Sequence, residues 1–425
     1  MSYERALWSW TQHLRTGGSV PWRDWTASGT GRADSVPEEW SAPGAAQLEF
    51  VRRAAMRDVL DGDRFTALAD LVTSRSGPGR GLGDRRLSWP ERQAADPEAG
   101  EPEGRQPTGR RFGASPVDPS DVPAEELVRV GVGTLTELLL GSPDDPAGDP
   151  AERLRARRRP FTRTPAFVLA GAPVTVSAVR RALGVAGHVE GGRSPRPVLL
   201  AEPLDYALAQ VWSARVQRGA PARWHGFVQR WSGRRDLPRS ADAAALARRW
   251  ADQVGAAAVH VVVPPGGFDS ATRAVADVLG VDPHTPLRAT RRERSSPLQP
   301  RWKDLTPAAV DVARRVNAVL GVRAPKERHP VALRRLVRIL VPTSPVGHAM
   351  TVPEPFWQWA RTRAERMTEQ LSDGGYPVHG RLEGLVPRFA DLPTHPRSED
   401  ALEAVVTACL RLAGDVRVNE RGGGE

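Results

Sequence analysis

The chain has 425 residues with 60 basic and 50 acidic side chains, a formal net charge of +10 at pH 7, 40 glycines and 39 prolines. This length supports two or three domains, and the Gly and Pro content predicts folded domains joined by disordered linkers. No apolar run reaches the ~18 residues of a membrane-spanning helix. Cys409 is the single cysteine, which excludes an intramolecular disulfide and argues against a cysteine-based zinc site. Because the first residues lack a basic start followed by an apolar stretch, we expect a cytoplasmic protein without a signal peptide.

Arginine supplies nearly all of the positive charge, because lysine occurs only at positions 303 and 326. Residues 151–235 contain sixteen arginines against four acidic residues, and residues 288–338 contain twelve arginines and two lysines against four acidic residues. If folding placed both segments on one face, that face would favour phosphate-bearing ligands, nucleic acid or an acidic protein partner. No helix-turn-helix, zinc-finger or RNA-recognition motif accompanies them.

The first 73 residues form a predicted helical region that is rich in tryptophan. Leu7, Trp10 and Leu14 recur at helical spacing, and the glycines at 17 and 18 end that helix. Residues 74–123 have the Pro, Gly and acidic composition of a disordered linker. The remaining predictions for this part are a turn at 21–25, helices at 45–60 and 65–72, and a helix at 124–140 followed by a charged linker up to 159.

From residue 160 onward, short apolar runs alternate with helical patterns, which predicts an α/β domain over 160–395 with a small, mostly parallel sheet. The predicted strands span 166–170, 197–201, 258–263 and 376–380. The predicted helices span 175–183, 204–218, 240–254, 269–280, 306–321 and 356–371. Ser240, Asp269 and Thr306 are the expected N-cap residues of the helices predicted at 240–254, 269–280 and 306–321. Residues 396–425 are expected to form a C-terminal helix, centred on 401–412, and a flexible tail.

Ligands of parallel α/β sheets bind at the carboxyl ends of the strands, so the loops after the predicted strands are candidate sites. In the first loop, 171–177, Gly171 makes a turn into a helix whose N–H groups and dipole favour an anion. The hydroxyl groups of Thr175 and Ser177 would add donors, and Arg180 would add charge. Because no lysine is present, this is not a Walker A loop, and an ordinary β–α turn is the alternative.

The second loop places two carboxylates, Glu202 and Asp205, at the end of a strand. Such groups act as a base or bind a basic group, or they interact favourably with the positive end of the dipole of the helix that begins there. The third loop, 263–269, is expected to lie near the other two. The nine histidines show no metal-ligand spacing. His260 is expected to pack within its strand, and His379 is the histidine expected to line a cleft.

Three segments resemble proteins of the actinobacterial sulfotransferase family. Residues 255–266, together with 278–283, are similar to a strand, loop and helix of that family, and residues 374–387 (GGYPVHGRLEGLVP) are similar to the segment that closes its domain. Residues 198–212 resemble the strand and helix that contact the cofactor's 3′-phosphate. The resemblance covers about 160–390. It implies a P-loop-like three-layer α/β fold that uses 3′-phosphoadenosine-5′-phosphosulfate.

The signature residues of that family, two of which are charged, are replaced in this chain. Val174 stands where the phosphosulfate loop carries a lysine, and Ala201 and Ala209 stand where an arginine and a serine are expected. Because such charged groups hold the cofactor, the resemblance implies a degenerate, non-catalytic relative that serves as a binding or interaction module. One alternative is an Arg-rich nucleic-acid or protein-interaction protein. The other is an active transferase with a site rebuilt from Arg180, Arg181, Arg193 or Arg196.

Overall fold

The computed structural model describes residues 3–28, 43–57, 62–73, 119–141, 166–188, 190–266, 268–282, 305–340, 350–389 and 393–422. The chain divides into two compact units. The helical unit comprises residues 1–142 and 402–425, and the α/β unit comprises residues 143–401. Residues 74–118 of the predicted linker over 74–123, the charged linker over 142–159 and residues 423–425 of the predicted tail lie outside the described residues. The end of the predicted linker is ordered, since Pro119–Asp121 form a 3₁₀ helix.

The helical unit is built from α-helices, with one turn of 3₁₀ helix at Pro119–Asp121. The buried side chains of Leu7, Trp10 and Leu14 line one side of its first helix, which confirms that prediction. Its helices are α1 (Tyr3–Arg15), α2 (Trp22–Ser28), α3 (Ala45–Ala55), α4 (Gly62–Thr73) and α5 (Ala124–Gly141). The C-terminal helix, Ser398–Gly422, belongs to this unit from residue 402 onward.

Three of these helices meet at a glycine. A Cβ on Gly131 of α5 would lie 2.6 Å from the ring of Phe50 and 2.8 Å from a methyl group of Val405. The buried Cys409 thiol contacts the Gly131 carbonyl at 3.6 Å. A larger residue at position 131 would therefore force the helices apart.

The segment predicted as a turn at 21–25 is a short helix instead. Its first residue, Trp22, packs its ring against Trp10 at a centroid distance of 5.2 Å. Aromatic burial stabilises this helix, although it is too short to be stable alone. The bounds of other helices also differ from prediction, because α3 ends at residue 55 and not at 60, and the last helix spans 398–422 and not 401–412.

The sheet of the α/β unit has four parallel strands in the order β1 (Phe167–Gly171), β2 (Arg196–Leu200), β3 (His260–Val262) and β4 (Val378–His379). This confirms the predicted α/β class and the parallel sheet. Leu169 pairs with Val198, which pairs with His260, and Val262 pairs with His379. Because the spatial order follows the chain, the described strands contain no reversal of the kind that opens a ligand crevice in doubly wound sheets.

The α/β unit also contains eight described helices. They are α6 (Pro173–Val185), α7 (Leu204–Val216), α8 (Trp224–Ser232), α9 (Ala243–Val254), α10 (Phe268–Leu279), α11 (Pro307–Arg323), α12 (His329–Leu340) and α13 (Trp357–Asp373). The C-terminal helix, numbered α14, begins within this unit at residue 398.

Helices cover both faces of the sheet. On one face, Leu200 and Val262 pack against apolar residues of α6 and α10. On the other face, Leu199 and Val261 pack against apolar residues of α9 and α13. Successive strand side chains point to opposite faces. The strands are therefore continuous apolar runs, which is the pattern from which they were predicted.

One predicted cap is confirmed and one is wrong. The Thr306 hydroxyl caps α11 by accepting the Ala309 N–H at 3.1 Å. The cap of α9 is Asp242 and not Ser240, because the Asp242 carboxylate accepts the Ala245 N–H at 2.9 Å. A carboxylate in this position also interacts favourably with the helix dipole.

Other helix boundaries differ from the predictions as well. Asp269 lies inside the first turn of α10 and is not its cap, and α11 continues through Gly321 to residue 323. The helices α8 and α12 were not predicted. A single glycine costs a helix only about 1 kcal/mol, so the exposed Gly321 does not end α11, which continues for two more residues.

Candidate functional site

The turn between β1 and α6 is the first candidate anion site, and its glycine has a structural role. Gly171 has φ of +134°, and a Cβ there would lie 2.2 Å from the carbonyl oxygen of Leu200. Only glycine allows the end of β1 to approach β2 so closely at this backbone angle. Strand packing therefore explains this residue without a ligand.

The backbone donors at the N-terminus of α6 are bonded to a side chain of α7. Gln210 Oε1 accepts the Val174 N–H at 3.1 Å and the Thr175 N–H at 2.9 Å. The first N–H groups of a helix attract anions because they lack partners within the helix. The N-cap residue, Ala172, has no side-chain acceptor. Gln210 therefore supplies the cap from a neighbouring helix.

Gln210, Thr175 and Glu202 form a buried hydrogen-bonded cluster, called the polar triad below. Thr175 Oγ1 donates to Glu202 Oε1 at 2.8 Å, and Gln210 Nε2 donates to Glu202 Oε2 at 2.8 Å and to Thr175 Oγ1 at 2.9 Å. Burial raises the pKa of Glu202 to about 7, although the hydrogen bonds from Thr175 and Gln210 act in the opposite direction. Among the described residues, no cation pairs with Glu202, so burial dominates.

Helix α7 closes the triad to solvent. Most of its side chains are buried, and Leu204, Trp212 and Val216 lie inside the unit, as is typical of a helix largely surrounded by protein. It begins just after β2 and places Gln210 against the start of α6. It therefore covers the carboxyl ends of β1 and β2, where an α/β sheet would otherwise bind a ligand.

Asp205, the second predicted carboxylate, has different partners. Its Oδ2 accepts the Thr351 hydroxyl at 2.9 Å, and its Oδ1 accepts the Tyr206 N–H at 2.9 Å. The Thr351 carbonyl in turn accepts the Trp224 indole N–H at 3.2 Å. Burial raises the pKa of Asp205, and burial together with the Glu202 charge raises the pKa of Tyr206. This network joins α7, α8 and the segment before α13, which is a structural role.

His379 pairs with the other strand histidine. His260 Nδ1 and His379 Nε2 are 3.0 Å apart, and the two half-buried rings stack with an interplanar angle of 25°. Burial lowers the pKa of His260, and the charges of His379 and Arg196 lower it further. One ring nitrogen must donate and the other accept, so the pair is best satisfied when at least one ring is neutral. His260 packs within its strand, as expected.

Two clefts flank the first turns of α6, and Ser177 lines both. The edge cleft, about 310 Å³, lies along β1 and is also lined by Arg180 and Arg239. The interhelix cleft, about 290 Å³, lies between α6 and α7 and is also lined by Arg181 and Arg218. Anionic groups are the ligands that such guanidinium groups bind most strongly.

The structure brings together some of the predicted site residues. Thr175 and Glu202 share a hydrogen bond, whereas Ser177 is exposed and His379 lines neither cleft. Arg180 lines the edge cleft and pairs with Glu190, whose carboxylate also accepts a backbone N–H of β1.

Sequence reasoning did not identify Gln210. The available signal was a single amide within the otherwise apolar run 207–212, because such a group requires a buried partner. The periodicity of the helix carries no information about where that partner lies.

Within the described ranges, no three His, Cys, Asp or Glu side chains are placed to hold a metal ion. No described helix is both long and apolar enough to cross a membrane. Comparison of the chain with protein-family models, curated proteins and solved structures finds no match.

Proposed function

We propose that this chain is a non-catalytic, sulfotransferase-like binding protein whose α/β unit retains a P-loop-like fold without a working cofactor loop. Support for the fold comes from the resemblance over 160–390 together with the parallel sheet and the helices on both of its faces. Support for the loss of catalysis comes from the polar triad.

The observation that carries the proposal is the bond from the α6 N-terminus to Gln210. A phosphosulfate bound at this turn would need the N–H groups of Val174 and Thr175, and Gln210 Oε1 accepts both of them. A ligand would have to displace a buried side chain that also donates to Glu202. Leaving such buried groups unpaired costs about 1–3 kcal/mol each.

The charges near the turn act in the same direction. Val174 provides no cation where the resembling family has a lysine, and the buried Glu202 has a pKa of about 7. At and above that pH its carboxylate repels an incoming anion. A cofactor with several negative charges is therefore opposed at this turn by both geometry and charge.

The test is isothermal titration of the full chain with adenosine 3′,5′-bisphosphate at about 50 mM and about 150 mM salt, because nonspecific electrostatic binding falls steeply over this range. We expect no saturable micromolar binding at the higher salt concentration. A cooperative thermal unfolding transition of the same sample shows that the protein is folded. Saturable micromolar binding at the higher salt would contradict the proposal.

A second candidate is an active transferase with a rearranged site. Arg180 and Arg181 favour it, because each lines a cleft next to the 171–177 turn. Arg196 is less suited, since its guanidinium donates to the Val278 carbonyl at 2.8 Å. This candidate predicts sulfuryl transfer from 3′-phosphoadenosine-5′-phosphosulfate to a phenolic acceptor. It also predicts that Arg180→Ala or Arg181→Ala abolishes the transfer, whereas Arg230→Ala, on the exposed surface of α8, serves as control.

The Arg-rich interaction protein remains a third proposal. It predicts DNA binding whose affinity falls steeply with salt. A filter-binding titration with random-sequence duplex at the same two salt concentrations tests it directly.

A further inference from the structure

The interhelix cleft is formed by α6, by the end of α7 and by the turn that follows α7. Ser177 and Arg181 stand one turn apart on α6, whereas Ala214 lies in the last turn of α7 and Arg218 lies in the turn after that helix. Residues one turn apart lie on the same side of a helix. The small side chains Ala178 and Ala214 leave the space between the helices open.

The charge of this cleft is not neutralised by the described part of the chain. Arg181 is half-buried and Arg218 is exposed, and no described residue pairs with either guanidinium group. None of the residues that line the cleft is acidic. A half-buried guanidinium loses part of its hydration, so it gains more from an anionic partner than a fully exposed one does.

Neutral donors complete the lining. Ser177 offers a hydroxyl group, and Gln217 offers an amide of which Nε2 also donates to Ser213 Oγ at 3.2 Å. The other residues that line the cleft, Pro173, Val174, Ala178 and Ala214, are apolar. The cleft therefore combines two cations and two neutral polar groups with a small apolar surface.

We infer that the interhelix cleft binds a small phosphate or sulfate monoester, with the oxyanion held by Arg181 and Arg218 and the ester's apolar group against Pro173 and Val174. This inference rests on the proposed function, because it assigns a ligand class to the non-catalytic binding protein. The volume of about 290 Å³ suits a single-ring ester. No bond of the ligand is broken.

The edge cleft is a weaker candidate for the same ligand. Its Arg180 is bonded to Glu190 through Nε at 2.5 Å, and Glu190 contributes a negative charge beside the cleft. That ion pair also covers the outer edge of β1, since the Glu190 carboxylate accepts the Leu169 N–H at 2.7 Å. Arg180 therefore has a structural role, whereas Arg181 is available to a ligand.

The test is isothermal titration of the full chain with phenyl phosphate, with phenol as the uncharged control ligand. We expect a Kd of about 0.1–1 mM at low ionic strength for phenyl phosphate and no measurable binding of phenol. Arg181→Ala and Arg218→Ala should each weaken binding about tenfold or more, because each removes a charge-assisted hydrogen bond. Arg230→Ala on the exposed surface of α8 removes the same charge elsewhere and should leave the Kd unchanged.

Two results would overturn the inference. The first is the absence of saturable phenyl phosphate binding, and the second is equal weakening by Arg230→Ala and the two cleft variants. The Arg181→Ala/Arg218→Ala double variant separates this inference from the proposed function. Micromolar binding of adenosine 3′,5′-bisphosphate that survives the double substitution contradicts the proposed function, while the phenyl phosphate result alone decides the cleft.

Discussion

Replacing Gln210 with leucine tests the polar triad, because leucine keeps most of the side-chain volume and removes every hydrogen bond. The Thr175 N–H loses its acceptor at a residue that is 1% exposed, which costs about 1–3 kcal/mol. Glu202 loses one of its two side-chain donors, which adds about 1 kcal/mol. The Val174 N–H adds little, because that residue is only half-buried and water can reach it. We therefore expect the α/β unit to lose about 2–4 kcal/mol of unfolding free energy.

Urea unfolding followed by tryptophan fluorescence measures this loss, fitted with two transitions if the two units unfold separately. Hydrogen exchange of the peptide that contains the start of α6 gives a local readout, and its protection should fall. Gln229→Leu on the exposed surface of α8 is the matched control and should change stability by less than about 0.5 kcal/mol. An equally small loss in Gln210→Leu, with unchanged exchange at α6, would refute the role assigned to this side chain.

Two further predictions concern protonation. The folded-state pKa of Glu202, about 7, lies above its ordinary value of 4.5. Between these two pH values the folded state therefore retains a proton that the unfolded state releases. The free energy of unfolding consequently falls as pH rises from about 4.5 to about 7. Glu202→Gln should flatten this part of the curve of unfolding free energy against pH, a change of the order of 3 kcal/mol, and an unchanged slope would contradict the assignment. The pKa of His260 lies below its ordinary value of 6.5, first because of burial and then because of the charges of His379 and Arg196. The contribution of the neutral His260 ring to stability is therefore fully present above pH 6.5 and is lost as pH falls through its folded-state pKa. His379→Asn should raise the pKa of His260, measured by NMR titration of its ring, and a pKa equal to that in the parent chain would show that the stacked pair is not coupled.

The parallel sheet was predictable because its strands are short, continuous apolar runs between turn residues. β3 is the clearest case, since Val259, Val261 and Val263 face one side and Val262 the other. The missed helices α8 and α12 carried a readable pattern too. Trp224, Phe227, Val228 and Trp231 recur at helical spacing in α8 and are all buried. Because of its arginines, the segment that forms α12 was interpreted only as part of a basic region, although its apolar residues also recur at helical spacing.

The candidate site was predictable only in part, because its contacts join residues far apart in the chain. Glu202 and Thr175 were each identified from their place after a strand, and the parallel sheet brings those strand ends together. Gln210 could not be assigned in the same way. Its partners at the start of α6 lie 35 and 36 positions upstream, and helical periodicity does not report such a separation. Ser240 is a predicted cap because serine favours that position, but the helix begins only at Ala243, so Asp242 is the residue placed to accept from its first N–H groups.

The position of α7 accounts for both the closed 171–177 turn and the open interhelix cleft. Backbone N–H groups bind anions best at a helix N-terminus that faces a crevice, and α7 occupies that place beside β1 and β2. Packing α7 there brings its later turns alongside α6, where Ala178 and Ala214 keep the helices from filling the space between them. The cations beside that space are the side chains of Arg181 and Arg218. If the chain binds anions, recognition therefore depends on guanidinium groups on the flank of α6, and substitutions there should affect binding without disturbing the polar triad.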